Sequence, residues 1–169
     1  QNLDFVDFTQ HPEAYTSDFE KFTKVSDIYI AGHFHANNAP MILTQEMLNA
    51  KDCKIRVVAD VSCDVNGPIA STLRSSTIAE PLYGYLPSEN KEVDMFHPAA
   101  VVVMAVDNLP CEIPKDASEG FGEQFMEHVI PAFFNGDKNG ILQRAKITEN
   151  GKLTERFSYL QDYVDEKQL

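Results

Sequence analysis

The chain is poor in cysteine and in positive charge, and it contains no long apolar run. Its cysteines, Cys53, Cys63 and Cys111, are odd in number, widely spaced and form no CxxC pair. A disulfide framework is therefore not the organising device, and a reducing cytoplasm is the expected setting. Lys and Arg number 14 against 26 Asp and Glu, for a formal net charge of −12. That balance argues against a nucleic-acid or anionic-membrane surface, because phosphate binding needs clustered cations. A solvated acidic exterior that aids solubility is its plain reading. No apolar segment approaches the roughly 20 residues that span a bilayer, and the start carries no signal-peptide pattern. The first residue is Gln1 rather than Met, so the chain is expected to be a processed or carboxyl-terminal piece of a longer one.

The 169 residues amount to about one domain. Their 43% hydrophobic and 10% aromatic content belongs to a packed globule rather than a disordered chain. There is no internal repeat. A short helix is predicted over 16–24, capped by Thr16 or Ser17, with Phe19 and Phe22 on one face. A second begins at Thr44, which serves as its cap. Three apolar runs read as buried strands: Asp27–Gly32, Lys54–Val61 and Ala99–Val106. Continuous runs without alternation suit parallel strands covered on both faces. Residues 62–98 form a long excursion with one hairpin, Leu82–Tyr85 and Glu92–Phe96 flanking a turn at Pro87–Asn90. Helical spacing then governs 116–134, with Asp116 or Ser118 as the cap, and two further helices follow at 139–146 and 153–165. The fold class is α/β: a partial doubly wound, Rossmann-like, mostly parallel sheet with a carboxyl-terminal helical tail. Residues 1–115, with the long loop 62–98, are expected to form that partial sheet and 116–169 the helical tail.

Three segments carry chemistry, each just past the carboxyl end of a predicted strand, where open α/β sheets bind ligands. In the first, Gly32–Pro40, His33 and His35 stand with Asn37 and Asn38. A metal site, the lining of a nucleotide cleft and a plain polar loop all fit; no recognisable zinc spacing exists, and the cleft is favoured. In the second, Val58–Pro68, Asp60 and Asp64 lie four residues apart before a Gly-Pro turn. Asp60 is expected to cap the turn through backbone amides, whereas Asp64 is expected to meet ligand. The third, Ala105–Pro114, leaves its strand through Asp107 and Asn108, which a turn explains as well as a site does.

Asp27–Gly32, Ala39-Pro40, Leu43-Thr44 and Glu46–Leu48 resemble the stretch before the fifth nucleotide-domain strand of the alanine dehydrogenases. Val57–Val61 followed by Asp64 and Gly67 is similar to that family's strand and catalytic turn, although Val65 and Asn66 depart from its Gln-Gly. Val106–Pro110 resembles the family's Val-Ala-Asn-Met-Pro, while Asp107, Asp60–Ser62 and the Leu109–Ser118 run look closer to the lysine-forming saccharopine dehydrogenases. The resemblance covers residues 20 to 135.

What this resemblance implies is part of an NAD- or NADP-dependent amino-acid oxidoreductase that moves hydride between nicotinamide and an α-carbon or imine. Asp64 is implied as the catalytic polar group and Asp107 as a substrate contact. His33, Phe34, Val61, Asn108 and Leu109 are implied beside the cofactor. The family's Gly-rich pyrophosphate turn and its proton-handling Lys and His are absent from these 169 residues. Gly120-Phe121-Gly122 sits inside a helical pattern and follows no strand; helix–helix contact is its expected use. The chain alone is expected to be inactive. Its partners would be an amino-acid or keto-acid substrate, the amino-terminal part of the parent chain and further copies of itself. A non-catalytic assembly or sensing module is the alternative. A hydrolase built on Ser62 or Cys63 is disfavoured because no GxSxG elbow is present.

Overall fold

The computed structural model describes residues 5–33, 35 and 39–167. These fall into two compact units, one ending at Glu112 and the other beginning at Ile113.

The first unit is built on a five-stranded sheet in the order β1-β2-β5-β3-β4. Strands β1 (Ile28–Ala31), β2 (Val57–Asp60) and β5 (Val101–Met104) fall within the three predicted runs and pair in parallel, with Ile28 opposite Val57 and Val57 opposite Val102. Strands β3 (Leu82–Leu86) and β4 (Lys91–Val93) form the predicted hairpin. What the sequence did not indicate is its destination: β3 lies antiparallel beside β5, with Tyr83 opposite Val103. The long excursion thereby extends the sheet.

Strand pleating sets the core, because successive side chains point to opposite faces. Ala31, Val58, Tyr83, Tyr85, Val101 and Val103 share one face and are buried. Leu43, Leu48, Cys53 and Ile55 pack against them from the segments before β2. The other face departs from the expectation of cover on both sides: Ile28 and Ile30 are 61% and 68% exposed. Alternation is thus present in exposure although absent from the hydrophobic pattern, since apolar residues occupy both faces of β1.

The helices of this unit are short: α1 (Phe5–Gln10), α2 (Glu20–Thr23) and α3 (Gln45–Asn49). Thr44 caps α3 as predicted, its hydroxyl oxygen accepting from Met47 N at 3.3 Å. The predicted cap of α2 does not form. Ser17 Oγ instead donates to Ile42 O at 2.7 Å and accepts from Phe19 N at 3.2 Å, making a turn two residues too early.

In the second unit the long predicted helix is three pieces: α4 (Pro114–Gln124), a π-helical turn over Phe125–Val129 and α5 (Ile130–Phe134). Pro131 has no N–H to donate to the preceding turn, and a π turn is one way a helix absorbs that loss. Neither Asp116 nor Ser118 caps α4; Pro114 starts it with a fixed φ and no donor to satisfy. A methyl group on Gly120 or Gly122 would meet nothing within 4 Å, so these glycines do not serve helix contact among the described residues. Beyond them lie α6 (Ile141–Ala145), a two-stranded hairpin of β6 (Thr148–Glu149) and β7 (Lys152–Leu153), a 3-10 segment over Glu155–Leu160 and α7 (Gln161–Val164).

Candidate functional site

Because β1, β2 and β5 run parallel, their carboxyl ends lie on one edge of the sheet, and the three chemistry-bearing segments leave from that edge. A cavity of about 710 Å³ opens there, lined by His33, His35 and the Ser62–Gly67 loop. Among the described residues no Lys or Arg lines it.

The loop after β2 is held by Asp60, the last residue of that strand. Asp60 is completely buried. Its carboxylate accepts from Ser62 N at 3.0 Å, Ser62 Oγ at 2.6 Å and Thr72 Oγ1 at 2.5 Å. The expected turn-capping role is therefore present, with Thr72 as an added clamp from the far end of the loop. The backbone then passes through the left-handed region twice, at Cys63 (φ 56°) and Asn66 (φ 59°). Gly67 closes the turn, its N–H donating to Asp64 O at 3.0 Å. A Cβ on Gly67 would stand 2.5 Å from Asp64 Cβ, so this position admits only glycine in the observed loop.

Asp64 is exposed at the cavity wall. Cys63 has its thiol pushed above the usual range by burial first, and then by the negative charges of Asp60, Asp107 and Asp64. The shared influence on one thiol brings Asp107 into the neighbourhood of Asp64, although Asp107 is not among the cavity-lining residues. A thiol held protonated in this way is a poor nucleophile, which weighs against the hydrolase alternative.

His33 supplies the other wall. Burial pushes its imidazole below the usual value, and His35 adds to the drop while Asp60 and Asp64 oppose it. Its Nε2 is buried with no hydrogen-bond partner among the described residues. A buried polar nitrogen left unpaired costs about 1–3 kcal/mol, so a ligand atom that meets it gains that much in compensation. His35 is engaged differently, Nε2 donating to Pro40 O at 3.3 Å.

The residues singled out in the sequence thus separate. His33 and Asp64 share one cavity. Val61 is exposed on the same loop and Asp107, Asn108 and Leu109 follow β5 at the same sheet edge, without lining the cavity. Phe34 lies outside the described residues. Asn66, which lines the cavity, was not singled out as a ligand contact; the left-handed Asn66 before Gly67 is a turn signal that marks the bend.

Residues 6–156 match the family described as alanine dehydrogenase/PNT, C-terminal domain. The chain belongs to this family. The match reaches beyond residues 20 to 135 at both ends, and it makes the sheet a partial Rossmann-like domain. Among similar proteins, an alpha-aminoadipic semialdehyde synthase of Arabidopsis thaliana is 29% identical over 167 residues, 95% of this chain and 16% of that protein. A saccharopine dehydrogenase [NAD(+), L-lysine-forming] of Schizosaccharomyces pombe is 32% identical over 130 residues, 74% of this chain and 33% of that protein. A mitochondrial alpha-aminoadipic semialdehyde synthase of Mus musculus is 24% identical over 184 residues, 94% of this chain and 20% of that protein. The chain therefore spans a third or less of these curated relatives. As a member of the alanine dehydrogenase/PNT C-terminal family, it has its polar cavity at the strand edge where α/β sheets take ligands. Among the described residues no helix is long and apolar enough to cross a membrane.

Proposed function

We propose that this domain forms one wall of the active site of an NAD- or NADP-dependent amino-acid oxidoreductase, which transfers hydride between nicotinamide and an amino-acid α-carbon or imine. The observation that carries this reading is the acidic cavity at the sheet edge, with a buried nitrogen of His33 in its wall that has no partner among the described residues. A carboxamide group is a suitable partner for that nitrogen, and the adjoining polar loop offers further donors and acceptors, so the residues present fit the nicotinamide end of the cofactor. When bound, the cofactor supplies the hydride chemistry.

The chain's own residues bind and orient. Asp64, exposed on a braced loop, accepts a hydrogen bond from the reacting nitrogen and favours its cationic form. Asp107 reinforces that negative field and meets the substrate. His33, held neutral by burial, contacts the cofactor, with Val61, Asn108 and Leu109 along the same edge and Phe34 completing the set. The residues that handle the proton and the substrate carboxylate come from another segment of the parent enzyme, a homo-oligomer in this reading, and the 169 residues alone are inactive. The three free cysteines agree with a reducing compartment.

Titration of the purified chain with nicotinamide mononucleotide and with AMP, followed by heteronuclear NMR, tests the reading. The mononucleotide should bind with Kd of about 1 mM, roughly −4 kcal/mol, and shift the amides of His33, Asp64 and Asn66, while AMP leaves them in place. The reverse preference, or no response to the mononucleotide, refutes it and favours a non-catalytic module.

A further inference from the structure

The polar cavity does not end at the two histidines. A second cavity of about 360 Å³ shares His33 and His35 with it, and its character is opposite. Four rings, Phe8, Tyr15, Phe19 and Phe22, line this second compartment, with Pro40 and Ile42. The rings are arranged in pairs: Phe8 meets Tyr15 edge-on at 5.2 Å between centroids, and Phe19 meets Phe22 at 5.7 Å and a 47° tilt. Apart from Thr16 and His33, the polar side chains of its lining are engaged among the described residues. Tyr15 OH donates to Asp7 at 2.5 Å, Ser17 Oγ donates to Ile42 O at 2.7 Å, and Asp18 is paired with Lys21. What remains is an aromatic hollow that joins an acidic one, with a histidine nitrogen between them that has no partner among the described residues.

Two properties restrict the ligand that would use both. The acidic compartment gathers Asp64 in its lining and Asp107 nearby, with no Lys or Arg in its wall among the described residues, so it favours a cation over an anion. The aromatic compartment favours an apolar or flat group, which gains from ring contact beyond its buried area, and its volume lies within the range of pockets that enclose small organic ligands.

We propose that the aromatic compartment is the side-chain subsite for an amine substrate: the ammonium group lies toward Asp64 and Asp107, and the apolar or aromatic side chain lies among Phe8, Tyr15, Phe19 and Phe22. The proposal rests on the acidic cavity being the oxidoreductase site, and it adds the substrate class: amino acids or amines with a substantial apolar side chain, in preference to short polar ones.

The test is binding of phenethylamine, phenylacetamide and phenylacetate to the purified chain, measured by ligand-observed and heteronuclear NMR. Phenethylamine should bind saturably and at least about tenfold more tightly than phenylacetate, equal to about 1.4 kcal/mol, with phenylacetamide between them. Phe22 is half exposed, so Phe22→Ala should leave the fold intact while weakening all three ligands several-fold; Phe8→Ala is the second variant and should act the same way. Asp64→Asn with Asp107→Asn should remove the preference for the amine and keep the ring contact. Absence of saturable phenethylamine binding, or binding unchanged in both phenylalanine variants, overturns the proposal. Displacement of phenethylamine by adenosine would also overturn it, by assigning the hollow to a nucleotide base. Mononucleotide binding without phenethylamine binding would sink this inference alone. The opposite result would sink the cofactor reading and leave an amine site.

Discussion

Replacing Asp60 by alanine should be among the most damaging single changes in the first unit, and its cost follows from the structure. The carboxylate is completely buried and accepts from Ser62 N, Ser62 Oγ and Thr72 Oγ1. Hydrogen bonds to a charged group contribute about 1.5–3 kcal/mol each, and a buried donor left without an acceptor costs about 1–3 kcal/mol. Ser62 is half-buried and can turn to water, so its share is small. Thr72 is 2% exposed and cannot, so its hydroxyl is stranded. Removing the desolvation cost of the carboxylate offsets part of the loss. The expected net is about 3 kcal/mol, or a fall in Tm of roughly 6–12 °C at the 2–4 °C per kcal/mol appropriate to this size. Thr72→Val, which removes the hydroxyl and keeps the volume, should cost only about 1–2 kcal/mol. The double variant decides the cause: if Thr72 is stranded by loss of Asp60, the two changes together should cost at least about 1 kcal/mol less than their sum. Urea unfolding of the four proteins measures all of these. Asp60→Ala within about 0.5 kcal/mol of the parent, or strict additivity in the cycle, would refute the clamp.

Gly67→Ala should displace the Asp64 loop, since the new Cβ would stand 2.5 Å from Asp64 Cβ and 2.8 Å from its carbonyl oxygen; an overpacking cost of about 1–3 kcal/mol and loss of mononucleotide binding are expected by melting and NMR. Tyr85 should create an alkaline instability. Burial, helped by Glu46 and Tyr83, pushes its hydroxyl up to about 12, so the folded chain holds a proton that the unfolded chain releases near 10. Stability is then full below pH 10 and declines as the pH rises toward 12, by up to about 2 kcal/mol, and unfolding of Tyr85→Phe should lose much of that slope. In the proposed parent oxidoreductase, Asp64→Asn should lower kcat/KM by roughly 10² with Tm changed by only a few degrees, as for removal of one positioned polar group; near-normal turnover would remove Asp64 from the site.

Much of the frame was legible because its signals are local. β-Branched runs at 54–61 and 99–106 mark strands wherever they go, and Pro87–Asn90 between two apolar segments marks a hairpin. The pairing of that hairpin was not legible, because nothing in Leu82–Leu86 names β5 as its neighbour. Helix boundaries failed for a related reason. Ser17 has the chemistry of a cap, but its hydroxyl is drawn to Ile42 O, 25 residues away. The π turn before α5 was in principle readable from Pro131 alone, since a helix interior must lose a bond at that point. The aromatic compartment was not, because nothing local in the sequence says that Phe8, Tyr15, Phe19 and Phe22 will line one cavity with His33 and His35.

The two aspartates of the β2 loop show most clearly what decides between structure and function here. Asp60 and Asp64 are the same residue type four positions apart, at one strand end. Pleat parity separates them. Val58 is a fully buried core residue, and Asp60, two residues on, must point to the same face. An aspartate aimed into the core has to be saturated with hydrogen bonds, and Ser62 and Thr72 saturate it. Asp64 lies past the end of β2, beyond the left-handed Cys63, where parity no longer applies and the chain has turned toward the cavity. The buried carboxylate therefore fixes the loop, and the exposed one is left free to meet a ligand. Exchanging their roles by mutation is not open to the sequence, because the face of β2 is already set by Val58.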